Sequence, residues 1–149
     1  MPAARRAARR AIRDIWYELW GNLTMNPVSA LTGATTEQIV ADPLVLRLCT
    51  DAMREAHRPG ELLDCPIEQT PEQRHRITGG LGAFKTSMLQ DVLAGRPLEL
   101  DALVGAVHER GARHGLPTPN IDALFGLARL MARVRGLYPW PGQRDAHAA

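Results

Sequence analysis

Residues Ile15 to Leu31 read IWYELWGNLTMNPVSAL, and this stretch decides the fold. Ile15, Trp16, Leu19 and Leu23 recur at the i, i+3, i+4 spacing that makes one buried face of an α-helix. Glu18, Asn22 and Asn26 lie four residues apart and stack a carboxylate and two carboxamides along a second stripe. That stripe has two readings: the solvated side of an amphipathic helix, or a row of hydrogen-bonding groups facing a ligand. Trp16 and Trp20 favour deep packing beside it. Pro27 lacks a backbone donor and disfavours the α region for Asn26, so the helix is expected to kink or end there, leaving Asn26 at a bend.

The 149 residues fit one domain large enough to bury a core without disulfides or metals. Hydrophobic residues make up 45% and charged residues 23%, with no apolar run near the ~20 residues of a membrane span. The expectation is a soluble protein that does not enter membranes. Cys49 and Cys65 show neither CxxC nor Cys/His ligand spacing, so reduced core thiols and no metal site are expected. No secretory apolar core follows the N-terminus, which points to the cytoplasm. A net charge of +2 argues against a dedicated nucleic-acid binder. Arg5, Arg6, Arg9, Arg10 and Arg13 nevertheless crowd the first residues, where they either attract anions or simply make a helix-prone, soluble end. Lys85 is the only lysine in the chain.

Beyond Leu31 the chain punctuates itself as a series of helices. Gly33 suits a helix-ending left-handed turn, and Thr35 with Gln38 forms a capping box for the next helix. Asp42-Pro43 starts another, with Leu44, Leu48, Cys49 and Ala52 on helical spacing, and Pro59 stops or kinks it. Cys65-Pro66-Ile67 reads as connector, and Thr70-Pro71-Glu72-Gln73 opens a helix to about Thr78. Gly79-Gly80-Leu81-Gly82 is flexible but has no GxGxxG register and no preceding strand, so it is not a dinucleotide loop. Phe84 to Leu93 reads as a helix. Leu98 to Asp101 opens a long one, with Leu100, Leu103, Val104 and Val107 as its stripe and Gly115 as its cap. Thr118-Pro119-Asn120 begins the last, with Ile121, Leu124, Leu127, Ala128 and Met131 on spacing, before it frays into Tyr138-Pro139-Trp140-Pro141. Sustained period-two alternation is absent, so the chain reads as all-α, a multi-helix bundle. Residues 1–13 form an Arg/Ala-rich segment, 14–139 the helical domain and 140–149 a flexible tail.

WYELWGNLTMNPVSALTGAT, followed by KTSMLQDVLAGRPLELDALVGAVHERGARHGLPTPN, resembles the C-terminal domain of the ketopantoate reductase family. The NxxxNP spacing and the SMLQD, GRPxExD and GxPTPN segments occur in the family's order, over about Ile12 to Tyr138. The resemblance implies a fold like the C-terminal domains of ketopantoate reductase and 6-phosphogluconate dehydrogenase-like proteins, packed in the family against an N-terminal Rossmann domain that binds NADPH. It implies hydride transfer to a small 2-keto acid, giving pantoate for pantothenate synthesis. By the same resemblance Asn22 and Asn26 match substrate-binding asparagines and Ser87 a substrate-binding serine. Glu99 matches a glutamate on the cofactor side of the cleft. Ser87 and Glu99 also have ordinary explanations, as a helix serine and as a helix-start carboxylate.

Two departures set the functional expectation. Glu18 stands where the family's WxKL pattern carries its catalytic lysine. Hydride addition builds negative charge on the carbonyl oxygen, which an ammonium stabilises and protonates. At about 4 Å and an effective dielectric near 20 a unit charge contributes roughly 4 kcal/mol, favourable for lysine and opposed for a carboxylate. Lys85 precedes Ser87 by two positions and is expected on a different helix face. Secondly, only the Arg/Ala segment precedes the matching region, and no cofactor fingerprint occurs in the sequence. The expectation is therefore the substrate-binding domain of such a reductase, inactive alone. The alternatives are a helical dimerisation or interaction module, or the helical subunit of a split reductase completed by a separate Rossmann-domain protein.

Overall fold

A computed structural model describes residues 3–62 and 65–143, and every regular element among them is helical. Helix α1, Ala3–Thr32, is the axis of the bundle. Around it follow α2 (Thr36–Ala41), α3 (Pro43–Glu55), α4 (His57–Glu61), α5 (Pro71–Gly79) and α6 (Ser87–Leu93). A π-helical turn over Asp101–Gly105 then runs into α7 (Ala106–Arg113), and α8 (Pro119–Val134) closes the set. No helix among the described residues is long and apolar enough to cross a membrane.

The expected helix starts arise from local chemistry. Thr35 and Thr70 each form a capping box, with Gln38 and Gln73. The Asp42 carboxylate accepts from the Leu44 and Val45 amides at 3.0 and 3.1 Å. Each cap satisfies amides that a helix start leaves without partners. Gly33 turns the chain out of α1 with φ of 74°, a conformation only glycine adopts without strain.

Packing overrides the local reading at several points. Pro27 does not end α1, which continues through Asn26 in helical conformation to Thr32. Leu23, Val28 and Ala30 are buried on both sides of Pro27, itself fully buried, and this packing holds the helix across the missing hydrogen bond. Ile15 is 67% exposed rather than core, because residues 5–15 of α1 run beyond the bundle. The buried stripe begins at Trp16 and continues through Trp20 and Leu23, with Leu19 half-buried against it. The described part of the 1–13 segment is continuous with this helix.

α1 packs against α2, α3, α6, α8 and the π-turn. Trp20, fully buried, donates from Nε1 to the Met53 carbonyl at 3.0 Å and ties α1 to α3. Met53, Leu100, Val104, Val107, Ile121 and Ala128 surround it in the same core. Cys49 and Cys65 are buried and are not joined in a disulfide.

The second half departs further from simple periodicity. α6 starts at Ser87 rather than Phe84, because Thr86 is extended and caps it, its hydroxyl accepting from the Leu89 amide at 3.2 Å. Lys85 thus lies outside the helix. The long helix expected from Leu98 instead begins as the π-turn, with the Gly105 amide bonded to the Leu100 carbonyl at 2.9 Å, before α7 takes over. Leu127 is 61% exposed and joins Leu130 and Val134 on a side of α8 that no described element covers. The segment after α8 does not fray at once. The Leu98 amide bonds the Leu137 carbonyl at 2.9 Å, and the buried Tyr138 donates its hydroxyl to Asp101 at 2.6 Å. Of the expected tail, residues 144–149 lie outside the described residues.

Candidate functional site

The polar stripe of α1 faces a concave surface completed by α6 and the approach to the π-turn. One hollow of about 210 Å³ is lined by Asn22 and Asn26 from α1, Ser87 and Asp91 from α6, and Glu99 and Leu103 beyond it. A second, of about 230 Å³, lies on the other side of the same residues and adds Glu18, Gly21, Arg74 and Phe84. Asn22, Asn26 and Ser87 are shared by both. Each hollow is smaller than the roughly 300–1,000 Å³ typical of drug-sized ligands, which fits a small molecule.

All five residues named from the sequence therefore border this pair of adjoining hollows, the cleft, with Glu99 lining the first and Glu18 the second. Asn22 and Asn26 are half-buried, whereas Glu18, Ser87 and Glu99 are exposed at its walls. The Asn22 carboxamide donates from Nδ2 to Glu18 Oε1 at 2.9 Å, one helical turn back. The side chains of Asn26, Ser87 and Glu99 make no hydrogen bond with another described residue, so their polar atoms are available to a ligand. Lys85 lines neither hollow; it is exposed, and its carbonyl accepts from Gln90 Nε2 at 3.1 Å.

The walls are held by contacts between elements. Arg96 donates from Nε and Nη2 to Asp91 Oδ1 at 2.8 and 2.7 Å, pinning the loop that leads to Glu99. The glycine-rich turn after α5 forms the opposite rim. It is fastened to α2 through the Thr36 hydroxyl, which donates to the Gly82 carbonyl at 3.1 Å, and through the Thr36 amide, which bonds the Phe84 carbonyl at 2.9 Å. Leu81 and Phe84 from this segment line the second hollow.

Below that rim, His75 lies buried on α5, its Nε2 3.1 Å from the Thr50 hydroxyl. Burial lowers its pKa from the ordinary value, against a smaller opposing pull from Glu72. Burial also pushes the Cys49 thiol up to about 11. No group of three or more His, Cys, Asp or Glu among the described residues is arranged to hold a metal ion.

Sequence reading missed two residues. Arg74 enters the cleft from α5, and the legible signal for it was Gly21, an isolated glycine inside the helical pattern that marks a close approach. Glu55 caps α8 in place of the expected Thr118. Its Oε1 accepts from the Asn120 amide at 3.0 Å and from Asn120 Nδ2 at 2.6 Å, and its Oε2 from the Ile121 amide at 3.0 Å. Thr118 instead donates to Asp122 at 2.8 Å. No local signal marks Glu55, which precedes Asn120 by 65 residues.

The ketopantoate reductase PanE/ApbA C-terminal family matches residues 10–132. A 2-dehydropantoate 2-reductase from Mesorhizobium japonicum is 48% identical over 125 residues, covering 84% of this chain and 38% of the relative. A crystal structure assigned to a ketopantoate reductase from Ralstonia solanacearum MolK2 is similar with a TM-score of 0.80 at 58% identity, over 85% of this chain and 38% of that one. The ternary structure of D-mandelate dehydrogenase with NADH and anilino(oxo)acetate shares the fold, with a TM-score of 0.74 at 18% identity over 83% of this chain and 53% of that one. The chain thus spans well under half the length of either of these two reductases. By the match over residues 10–132, the chain belongs to the ketopantoate reductase family and carries its C-terminal helical domain.

Proposed function

We propose that this chain forms the substrate side of a hydride-transfer cleft, acting on a small 2-keto acid of the 2-dehydropantoate type. The observation that carries the reading is the convergence of Asn22 and Asn26 from α1 with Ser87 from α6 on one cleft, with Glu99 at its edge. Three uncharged polar side chains can hold a carbonyl and a hydroxyl in one orientation, which is what hydride delivery to a single face demands. Glu99, exposed and without a described hydrogen-bonding partner, would meet the nucleotide across the cleft. As an acceptor-only carboxylate, Glu99 fits the hydroxyl and amide groups of NADPH and not its phosphates. When bound, that cofactor supplies the hydride.

The chain's own residues bind and orient the keto acid, but the position at the family's lysine is the Glu18 carboxylate. It holds Asn22 at 2.9 Å and opposes, rather than stabilises, an oxyanion. The 149-residue chain by itself accordingly does not turn over, and a Rossmann domain completes the cleft. The test is titration of the isotopically labelled chain with 2-dehydropantoate while the carboxamide signals of Asn22 and Asn26 are followed by NMR. Both signals shift and saturate if the reading holds; unmoved carboxamides at millimolar ligand overturn it.

A second reading, a dimerisation or interaction surface, is favoured by the apolar stripe of α8, where Leu127, Leu130 and Val134 are 61%, 51% and 73% exposed. Light scattering that finds only monomer, unchanged in Leu130→Glu, removes it.

A further inference from the structure

Arg74 is half-buried at the wall of the cleft, yet its guanidinium makes no ion pair and no hydrogen bond with another described residue. Such a group carries five donors and ordinarily finds a carboxylate when it leaves water. Two features hold it in place. Its Cζ lies 4.9 Å from the centroid of the Tyr17 ring, so the guanidinium is stacked while its donor edges stay open. It also rests against α1 where Gly21 has no side chain: a Cβ there would fall 2.2 Å from Nη2 and 2.6 Å from Nε. Tyr17 is fixed in turn by its hydroxyl, which donates to Gln69 Oε1 at 2.8 Å. Glu18 lines the same hollow but does not come within ion-pair distance of Arg74.

We propose that Arg74 is the carboxylate anchor of this cleft, its guanidinium receiving the acid group of a 2-keto acid whose remaining oxygens lie against Asn22, Asn26 and Ser87. This assignment rests on the reading of the cleft as a keto-acid site. A guanidinium matches a carboxylate with two parallel hydrogen bonds, which fixes orientation as well as charge. It gives the pocket a cation in a chain that has glutamate at the family's lysine position. Anchoring the acid from α5 is a binding role and leaves the proton-donating role of that lysine unfilled.

The experiment titrates the labelled chain with 2-dehydropantoate and, separately, with its uncharged lactone, following the Asn22 amide and carboxamide signals by NMR. Arg74→Gln weakens binding of the acid by roughly ten- to a hundredfold, the range expected for a lost charge-assisted contact, and leaves the lactone unaffected. Gly21→Ala does the same, because its new methyl group displaces the guanidinium; it also serves if Arg74→Gln fails to fold. Equal affinity of both variants and the unmodified chain for the acid overturns the anchor and leaves the keto-acid reading standing. Acetate binding that depends on Arg74, with no response to 2-dehydropantoate, supports a carboxylate receptor and overturns the keto-acid reading. Silence toward every carboxylate overturns both.

Discussion

Replacing Glu55 with alanine tests how the GxPTPN turn is held on the bundle. The carboxylate accepts three hydrogen bonds, from the Asn120 amide and side chain and from the Ile121 amide, at 3.0, 2.6 and 3.0 Å. It therefore caps α8 from α3. A hydrogen bond to an ionised group contributes about 1.5–3 kcal/mol, and loss of a helix cap costs about 0.5–2 kcal/mol. The three bonds share one carboxylate at a half-buried position where water reaches the freed amides, so the total is well below three full bonds: about 3 kcal/mol. In a domain of this size each kcal/mol moves Tm by about 2–4 °C, so Glu55→Ala lowers Tm by roughly 6–12 °C. Glu55→Gln keeps one acceptor and loses about half as much. Asn120→Ala removes only the side-chain donor and costs about 1 kcal/mol. Thermal unfolding followed by far-UV circular dichroism reads all three. A Tm for Glu55→Ala within about 2 °C of the unmodified chain refutes the capping argument.

Further predictions concern titration and reactivity. His75 is held neutral by burial, so its folded pKa lies below 6.5 and the unfolded chain binds the proton more readily. Its contribution to stability is complete above pH 6.5 and is lost as pH falls from there through the folded pKa. Denaturant midpoints should therefore drop on acidification through that window, and less so in His75→Gln. Cys49, its thiol pushed up to about 11 by burial, stays unalkylated by iodoacetamide at pH 8 in the folded chain and reacts once urea unfolds it. Rapid labelling in the folded state would contradict that packing. Leu130→Glu, on the exposed stripe of α8, leaves Tm nearly unchanged, since the side chain already meets solvent; a large loss would mean that this face is covered in solution.

What the sequence revealed about the fold was what local chemistry decides. Thr35, Asp42 and Thr70 cap their helices through atoms two or three residues away, so spacing alone finds them. Gly33 ends α1 for an equally local reason. Ile15 and Leu127 lie on helical spacing but are exposed, because periodicity cannot say where a helix leaves the bundle or which side its neighbours cover. Pro27 is tolerated because packing on either side outweighs one lost hydrogen bond. The π-turn at Asp101–Gly105 and the capping by Glu55 depend on contacts that no short window contains. The cleft followed the same division. Glu18, Asn22 and Asn26 were legible as one stripe on one helix, and Ser87 and Glu99 through family resemblance. Arg74 arrives from α5 and left only the trace of Gly21.

The most direct test of the central claim is NADPH oxidation by the purified chain, alone and mixed with a separately supplied Rossmann-domain partner, with 2-dehydropantoate as substrate. The account predicts no turnover by the unmodified chain alone and turnover by Glu18→Lys once the Rossmann domain is added, abolished in turn by Asn22→Ala. Robust, substrate-dependent oxidation by the unmodified chain alone would contradict it.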